Sequence, residues 1–141
     1  MIRYPLSTVA KAVGILSITV SLVTWGTDLL GIVDPCGYCR VSRSVIGILG
    51  ALMLLPSASH WLLRYLATTI AALGVVVAGT QHFNAWNEIS KGHFDFSAPL
   101  YANHYLHLLM SAGALMTIVA QILLIQGLAA QTFHPTMKSH A

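Results

Sequence analysis

Charged residues are scarce in this sequence: only 8% of its 141 residues are Asp, Glu, Lys or Arg. A soluble domain carries roughly 25% charged residues, so this chain lacks the charge that a water-exposed surface needs. With 56% hydrophobic residues, the same scarcity excludes intrinsic disorder. The sequence also has no basic stripe, which argues against a nucleic-acid partner. The class that remains is an integral membrane protein, in contact with lipid.

The few charges are spaced so that four long apolar segments lie between them. These segments predict membrane-spanning helices at about residues 12–33, 40–56, 62–83 and 104–128, with an outer loop over 84–103. Each approaches the roughly 20 residues that a helix needs to cross a bilayer. A chain this short cannot close a barrel, so helices are the expected spanning structure. We expect an all-α membrane four-helix bundle, a single domain over residues 1–141.

Basic residues in the connecting segments favour one orientation of this bundle. With the N-terminus inside, the inner segments hold Arg3, Lys11, Arg64 and Lys138, and the outer segments hold Arg40, Arg43 and Lys91. The positive-inside rule therefore predicts that both termini are cytoplasmic. It also places the two cysteines on the outer side, where disulfides persist.

Only two cysteines are present, Cys36 and Cys39, in a Cys-x-x-Cys motif. This spacing supports thiol exchange, in which one thiolate attacks and its neighbour resolves the mixed disulfide. Cys39 falls at the expected start of the second helix, where free N–H groups favour a thiolate. Arg40 and Arg43 add positive charge nearby. A structural disulfide or half of a metal site also fits the motif.

Arg43 follows Cys39 by four residues, so the two share a helix face. A guanidinium can donate to a carbonyl oxygen and stabilise charge that builds on it. A thiolate and an arginine on one face suit a quinone, either ubiquinone or menaquinone, and we predict Arg43 and Arg40 as the cofactor-binding residues. The alternative is an arginine that reaches the membrane interface without a ligand.

The pattern Cys36-x-x-Cys39-x-x-x-Arg43, between the first and second of four helices, resembles the disulfide bond formation protein B family. That family is related in architecture to the vitamin K epoxide reductases. The resemblance implies a redox-active enzyme of the bacterial inner membrane, with its cysteines on the periplasmic side. Electrons would pass from a thioredoxin-like or other exported thiol protein to quinone. Cys36 would exchange with thiols, Cys39 would lie nearest the quinone, and Arg43 would contact it.

Two departures from that family stand out. Family members carry a second cysteine pair in the second outer loop, whereas residues 84–103 contain no cysteine. Ser42 stands where the family usually has Gln or Glu. The resemblance therefore implies only the dithiol–quinone half of the family's chemistry. Either Cys36 and Cys39 exchange directly with a partner's thiols, or the scaffold serves another purpose.

Several histidines and one acid fall on the same side as the cysteines. His82, His104 and His107, together with His93 of the outer loop, suit a proton donor to reduced quinone or a metal site. Singly, they also suit hydrogen bonding at the membrane interface. Asp28, near the outer end of the first span, predicts an arginine or histidine partner or a proton role; the alternative is an interfacial acid that reaches water.

Two further functions compete with the enzyme. One is a non-enzymatic membrane subunit in which Cys36 and Cys39 form a fixed disulfide and the aromatic outer loop docks a partner. The other is a metal-binding membrane protein that uses the outer histidines.

Overall fold

The computed structural model describes residues 5–32, 36–56, 60–92 and 103–133. Within them the chain forms four α-helices: α1 (Leu6–Leu29), α2 (Gly37–Leu54), α3 (Trp61–Ser90) and α4 (His104–Phe133). Each helix is long and apolar enough to cross a membrane. The expectation of an all-α chain with four helices able to span a bilayer is thereby confirmed.

The first helix ends earlier than its apolar run does. α1 stops at Leu29, although the uncharged sequence continues to residue 33. Gly31 adopts a φ of 68°, a conformation that glycine takes without steric cost. The N–H groups of Gly31 and Ile32 then turn back to carbonyls of the last helical turn, at 3.2 and 3.0 Å. Hydropathy alone does not detect this stop.

The third helix, in contrast, runs past its predicted end. α3 continues to Ser90, so residues 84–90 of the predicted outer loop are helical. Gly92, with a φ of 81°, follows the helix terminus. Asn103 caps α4, because its Oδ1 accepts from the N–H groups of Tyr105 and Leu106 at 3.0 and 3.3 Å. The remainder of the predicted loop, residues 93–102, lies outside the described residues.

Neighbouring helices run antiparallel around the bundle. α1 packs against α2 and α4, and α3 packs against α2 and α4, while α1 and α3 make no contact within the described residues. The end formed by Leu29, Gly37, Ser90 and His104 contains both cysteines, and we call it the cysteine end. The opposite end holds the start of α3 and the end of α4.

The core is built from two kinds of surface. The buried faces of α1 and α3 consist largely of small residues. These are Ala10, Gly14, Ser17 and Ser21 on α1, and Ala67, Ala71, Gly74 and Ala78 on α3. α2 and α4 supply the large buried side chains, among them Leu49, Ile118 and Ile125. Small residues let membrane helices approach closely. Large apolar side chains such as Leu22, Leu73 and Leu123 point outward instead, which suits contact with lipid.

The closest approach between α1 and α2 depends on glycine. A Cβ added to Gly14 would lie 2.9 Å from the backbone oxygen of Gly50, and the converse distance is also 2.9 Å. One turn nearer the cysteine end, a Cβ on Gly47 would lie 2.5 Å from Ser21 Oγ. These contacts set the distance between the two helices and bring the end of α1 against the first turns of α2.

Candidate functional site

Cys36 and Cys39 lie at the start of α2. Cys36 is the N-cap residue, and its Sγ accepts a hydrogen bond of 3.4 Å from the backbone N–H of Cys39. We expected the free N–H groups of the helix terminus to act on the sulfur of Cys39. The structure instead directs one of them to Cys36. Both cysteine side chains are half-buried.

The sulfur of Cys39 faces α3. Gln81, which is only 8% exposed, donates from Nε2 to Cys39 Sγ over 3.3 Å. Ser42, three residues after Cys39 on α2, is buried as well, and within the described residues its Oγ has no hydrogen-bond partner. The two cysteines therefore differ in their surroundings: Cys36 lies at the helix terminus, and Cys39 lies against a buried amide between two helices.

Asp28 is the centre of a charged cluster between α1 and α2. Its side chain is 1% exposed and forms a two-pronged ion pair with Arg40, with Nε–Oδ2 at 2.7 Å and Nη2–Oδ1 at 3.2 Å. Arg43 Nη1 lies 3.6 Å from Oδ2 of the same carboxylate. The prediction that Asp28 pairs with an arginine is confirmed. A buried carboxylate without such partners would be strongly unfavourable.

Arg43 is directed toward α1 and toward its own helix. Nη1 donates to the backbone oxygen of Thr24, and Nε donates to the backbone oxygen of Cys39 at 3.1 Å. The guanidinium carbon also lies 5.6 Å from the centre of the Trp25 ring, within cation–π range. The side chain is 13% exposed. Arg43 shares a helix face with Cys39 as predicted. Its guanidinium contacts Thr24 and Trp25 of α1 and thereby links α1 to α2.

Two further hydrogen bonds extend this contact between α1 and α2. Trp25 Nε1 donates to Ser44 Oγ at 3.3 Å, and Ser21 Oγ donates to the backbone oxygen of Arg43 at 2.8 Å. We call Ser21, Thr24, Trp25, Asp28, Arg40, Arg43 and Ser44 the α1–α2 polar cluster. Each of the four members on α1 is three or four residues from two of the others, so they lie on one face of that helix.

His82 lies between α3 and α4. Its Nδ1 is 3.2 Å from the backbone oxygen of Leu108 and 3.1 Å from Oγ of the buried Ser111. The backbone oxygen of Leu108 accepts from Nδ1 in one tautomer of the ring, and the Ser111 hydroxyl can donate to Nδ1 in the other, so these contacts are compatible with both tautomers. His82 and Gln81 are adjacent in sequence but face different neighbours.

Among the described residues, His104 and His107 form no metal-binding group with His82. His104 and His107 make an edge-to-face contact with ring centres 6.5 Å apart, and His93 lies outside the described residues. In the part of the chain that the structure describes, no three His, Cys, Asp or Glu side chains are grouped as a metal ion requires. The described histidines therefore provide no donor set for the metal-binding interpretation.

A groove of about 420 Å³ opens between α3 and α4 at the cysteine end. Of the described residues, its lining includes the polar side chains of His82, Asn103 and Tyr105, together with three leucines and Ala112 of α4. Neither cysteine nor Arg43 is among its lining residues. The predicted site residues thus divide between the α1–α2 polar cluster, the cysteine pair and this groove.

Sequence reasoning did not identify Gln81 as a partner of Cys39. A glutamine within the third apolar segment is the available signal, because buried polar groups in a membrane helix require partners. The partner itself depends on how α2 and α3 pack, which the sequence does not display. Trp25 and Thr24 were missed for the same reason.

The chain matches no family model, no curated protein and no solved structure. The resemblance to the disulfide bond formation protein B family therefore depends on the pattern from Cys36 to Arg43 and on the number of helices.

Proposed function

We propose that this chain is a membrane thiol–disulfide oxidoreductase that passes electrons from a partner dithiol, through Cys36 and Cys39, to a membrane quinone. The observation that carries the proposal is the two-sided placement of the cysteines. Cys36 caps α2 at the cysteine end, and Cys39 faces the buried Gln81 between α2 and α3. This arrangement suits a reaction in which a water-soluble thiol attacks Cys36 and the electrons leave through Cys39 toward a lipid-soluble acceptor.

The proposed cycle begins with the pair as a disulfide. A thiolate of the partner attacks Sγ of Cys36, the bond between Cys36 and Cys39 breaks, and Cys39 leaves as a thiolate. The partner's second thiol then attacks the mixed disulfide, so the partner becomes oxidised and both cysteines become reduced. Quinone, when bound, supplies the acceptor for the two electrons and two protons that are released as the disulfide re-forms.

Among the described residues, the groove beside His82 has room for a quinone ring, although neither cysteine lines it. Arg43 donates to backbone oxygens of Thr24 and Cys39, so its guanidinium is largely committed to helix packing. The groove volume of about 420 Å³ falls in the usual range of roughly 300–1,000 Å³ for ligand pockets. His82 lines the groove, and its imidazole can donate to or accept from a quinone oxygen there. In this proposal Arg43 and Arg40 hold α1 against α2.

The orientation and location follow from the distribution of basic residues and from the family resemblance. We place both termini in the cytoplasm and the cysteine end on the periplasmic side of a bacterial inner membrane. Arg3, Lys11, Arg64 and Lys138 are then inside. The thiol partner is a thioredoxin-like or other exported protein. It exchanges with Cys36 directly, because the sequence of residues 84–103 contains no cysteine that could act between them.

Thiol-dependent quinone reduction by the purified protein in lipid discs tests this function. Wild type should reduce a short-chain ubiquinone or menaquinone analogue when dithiothreitol is supplied. Cys39→Ser should abolish the activity, since no disulfide can re-form, and Gln126→Leu at the opposite end should retain it. A folded wild-type protein that reduces neither class of quinone would overturn the proposal.

The α1–α2 polar cluster favours a second candidate, a non-enzymatic membrane subunit with Cys36 and Cys39 as a structural disulfide. Asp28, Arg40 and Arg43 are engaged with one another and with α1, as expected where charges serve packing. A disulfide that resists mild reductant, together with co-purification with larger membrane subunits, would support this candidate over the enzyme.

A further inference from the structure

We infer that Gln81 is the hydrogen-bond donor that stabilises the thiolate of Cys39. The inference deepens the proposed function and rests on it, because a stabilised thiolate at this position matters for thiol exchange. Gln81 Nε2 lies 3.3 Å from Cys39 Sγ, and Gln81 is 8% exposed. An amide nitrogen can only donate, so the sulfur is the acceptor in this contact.

The hydrogen bond acts differently on the chemical states of the sulfur. A thiolate carries a full negative charge and accepts much more strongly than a thiol or a disulfide sulfur does. The donor is buried between α2 and α3, where it exchanges less with water and its dipole is less screened. Gln81 therefore favours the state in which Cys39 has left the disulfide as a thiolate.

The sequence attributes the stabilisation of this thiolate to the helix terminus and to the charges of Arg40 and Arg43, and this assignment adds Gln81. On α2, Cys36 and Arg43 form hydrogen bonds with the backbone of Cys39, and Arg40, the next residue, pairs with Asp28 of α1. His82 of α3 faces α4. Arg43 Nε donates to the backbone oxygen of Cys39, and its Nη1 lies near Asp28. Gln81, by contrast, donates to the sulfur of Cys39 itself.

The chemical step is the opening of the disulfide by a partner thiolate. A bond forms between the partner's sulfur and Cys36 Sγ, and the bond between Cys36 and Cys39 breaks. The electron pair of that bond stays on Cys39 Sγ, where Gln81 Nε2–H donates to the new charge. The exchange itself is redox-neutral. Oxidation of the partner is complete only when its second thiol releases Cys36.

Alkylation of Cys39 tests the inference without quinone or partner protein. In a Cys36→Ser background Cys39 is the sole cysteine, and its reaction rate with iodoacetamide is measured across pH in lipid discs. Gln81→Met keeps the side-chain length and removes the donor. We expect the rate below the plateau to fall about two- to tenfold, which is the range for one hydrogen bond, and the pH of half-maximal rate to rise.

Three further variants complete the test. Gln81→Glu should slow alkylation below the plateau more than Gln81→Met, because a carboxylate opposes the thiolate. Gln81→Asn is too short to hold the donor in place and should resemble Gln81→Met. Gln126→Leu, a glutamine at the opposite end, should leave the whole profile unchanged. Thermal unfolding of each variant confirms that the bundle is intact.

An unchanged or lowered half-maximal pH in Gln81→Met would overturn the inference. A lowered value would mean that Oε1 rather than Nε2 faces the sulfur, and a change confined to the plateau rate would indicate access alone. Because this assay uses neither quinone nor a partner dithiol, its result is separable from the quinone-reduction assay. Failure of one leaves the other standing.

Discussion

The two helix pairs of this bundle, α1–α2 and α3–α4, hold their arginines in different ways. At the cysteine end, Arg40 and Arg43 share the carboxylate of Asp28, which is 1% exposed. At the opposite end, Arg64 Nε donates to the neutral amide oxygen of Gln126 at 2.8 Å. Loss of the carboxylate would leave two guanidinium groups without a counter-charge. Loss of the amide would leave one half-buried arginine that can still reach water.

The difference shows which end has a fixed geometry. A buried ion pair is not a reliable source of stability, but removal of one partner is costly where the remaining charge stays buried. After loss of Asp28 this applies to Arg43, which is 13% exposed, more than to Arg40, which is 45% exposed. The α1–α2 polar cluster therefore restricts how the first turns of α2 lie against α1, and those turns carry Cys36 and Cys39. The α3–α4 pair meets at small and neutral polar residues, and the groove beside His82 lies between these helices.

Replacement of Asp28 should have the largest effect on stability. Asp28→Asn keeps the size of the side chain but removes the charge that Arg40 and Arg43 share. We expect the lowest thermal unfolding midpoint of the variants described here, measured in detergent at fixed pH and salt. Gln126→Leu, the matched change in α3–α4, should lower the midpoint far less. Equal losses at both ends would contradict the distinction between the two helix pairs.

A methyl group at the α1–α2 contact should have the next largest effect. Gly14→Ala places a Cβ 2.9 Å from the backbone oxygen of Gly50, so the helices must separate, at a cost of about 1–3 kcal/mol in unfolding free energy. The matched control is Gly79→Ala on α3, because nothing lies within 4 Å of its added Cβ. That control should be neutral or slightly stabilising, since alanine favours the helix. If Gly14→Ala and Gly79→Ala lower the unfolding free energy equally, the close contact between α1 and α2 is not required for stability.

The sequence predicts the helices well because their signal is local. Long uncharged segments specify four helices, and an acid near the end of a span requires a basic partner, as Asp28 shows. The helix ends are less predictable, since the stop at Gly31 depends on a backbone conformation rather than on hydropathy. The partners of Cys39 and Arg43 are harder still. They depend on how α1 and α3 pack against α2, which contacts distant in sequence determine.

The reduction potential of the Cys36–Cys39 pair tests the proposed thiol exchange most directly. Wild-type protein in lipid discs is equilibrated with glutathione buffers of graded ratio, and the fraction of free thiol is measured by alkylation. We predict a potential more positive than about −300 mV, in the range of pairs that exchange with cellular thiols. A potential below about −300 mV, where structural disulfides lie, would contradict the proposal and favour a fixed disulfide in a non-enzymatic subunit.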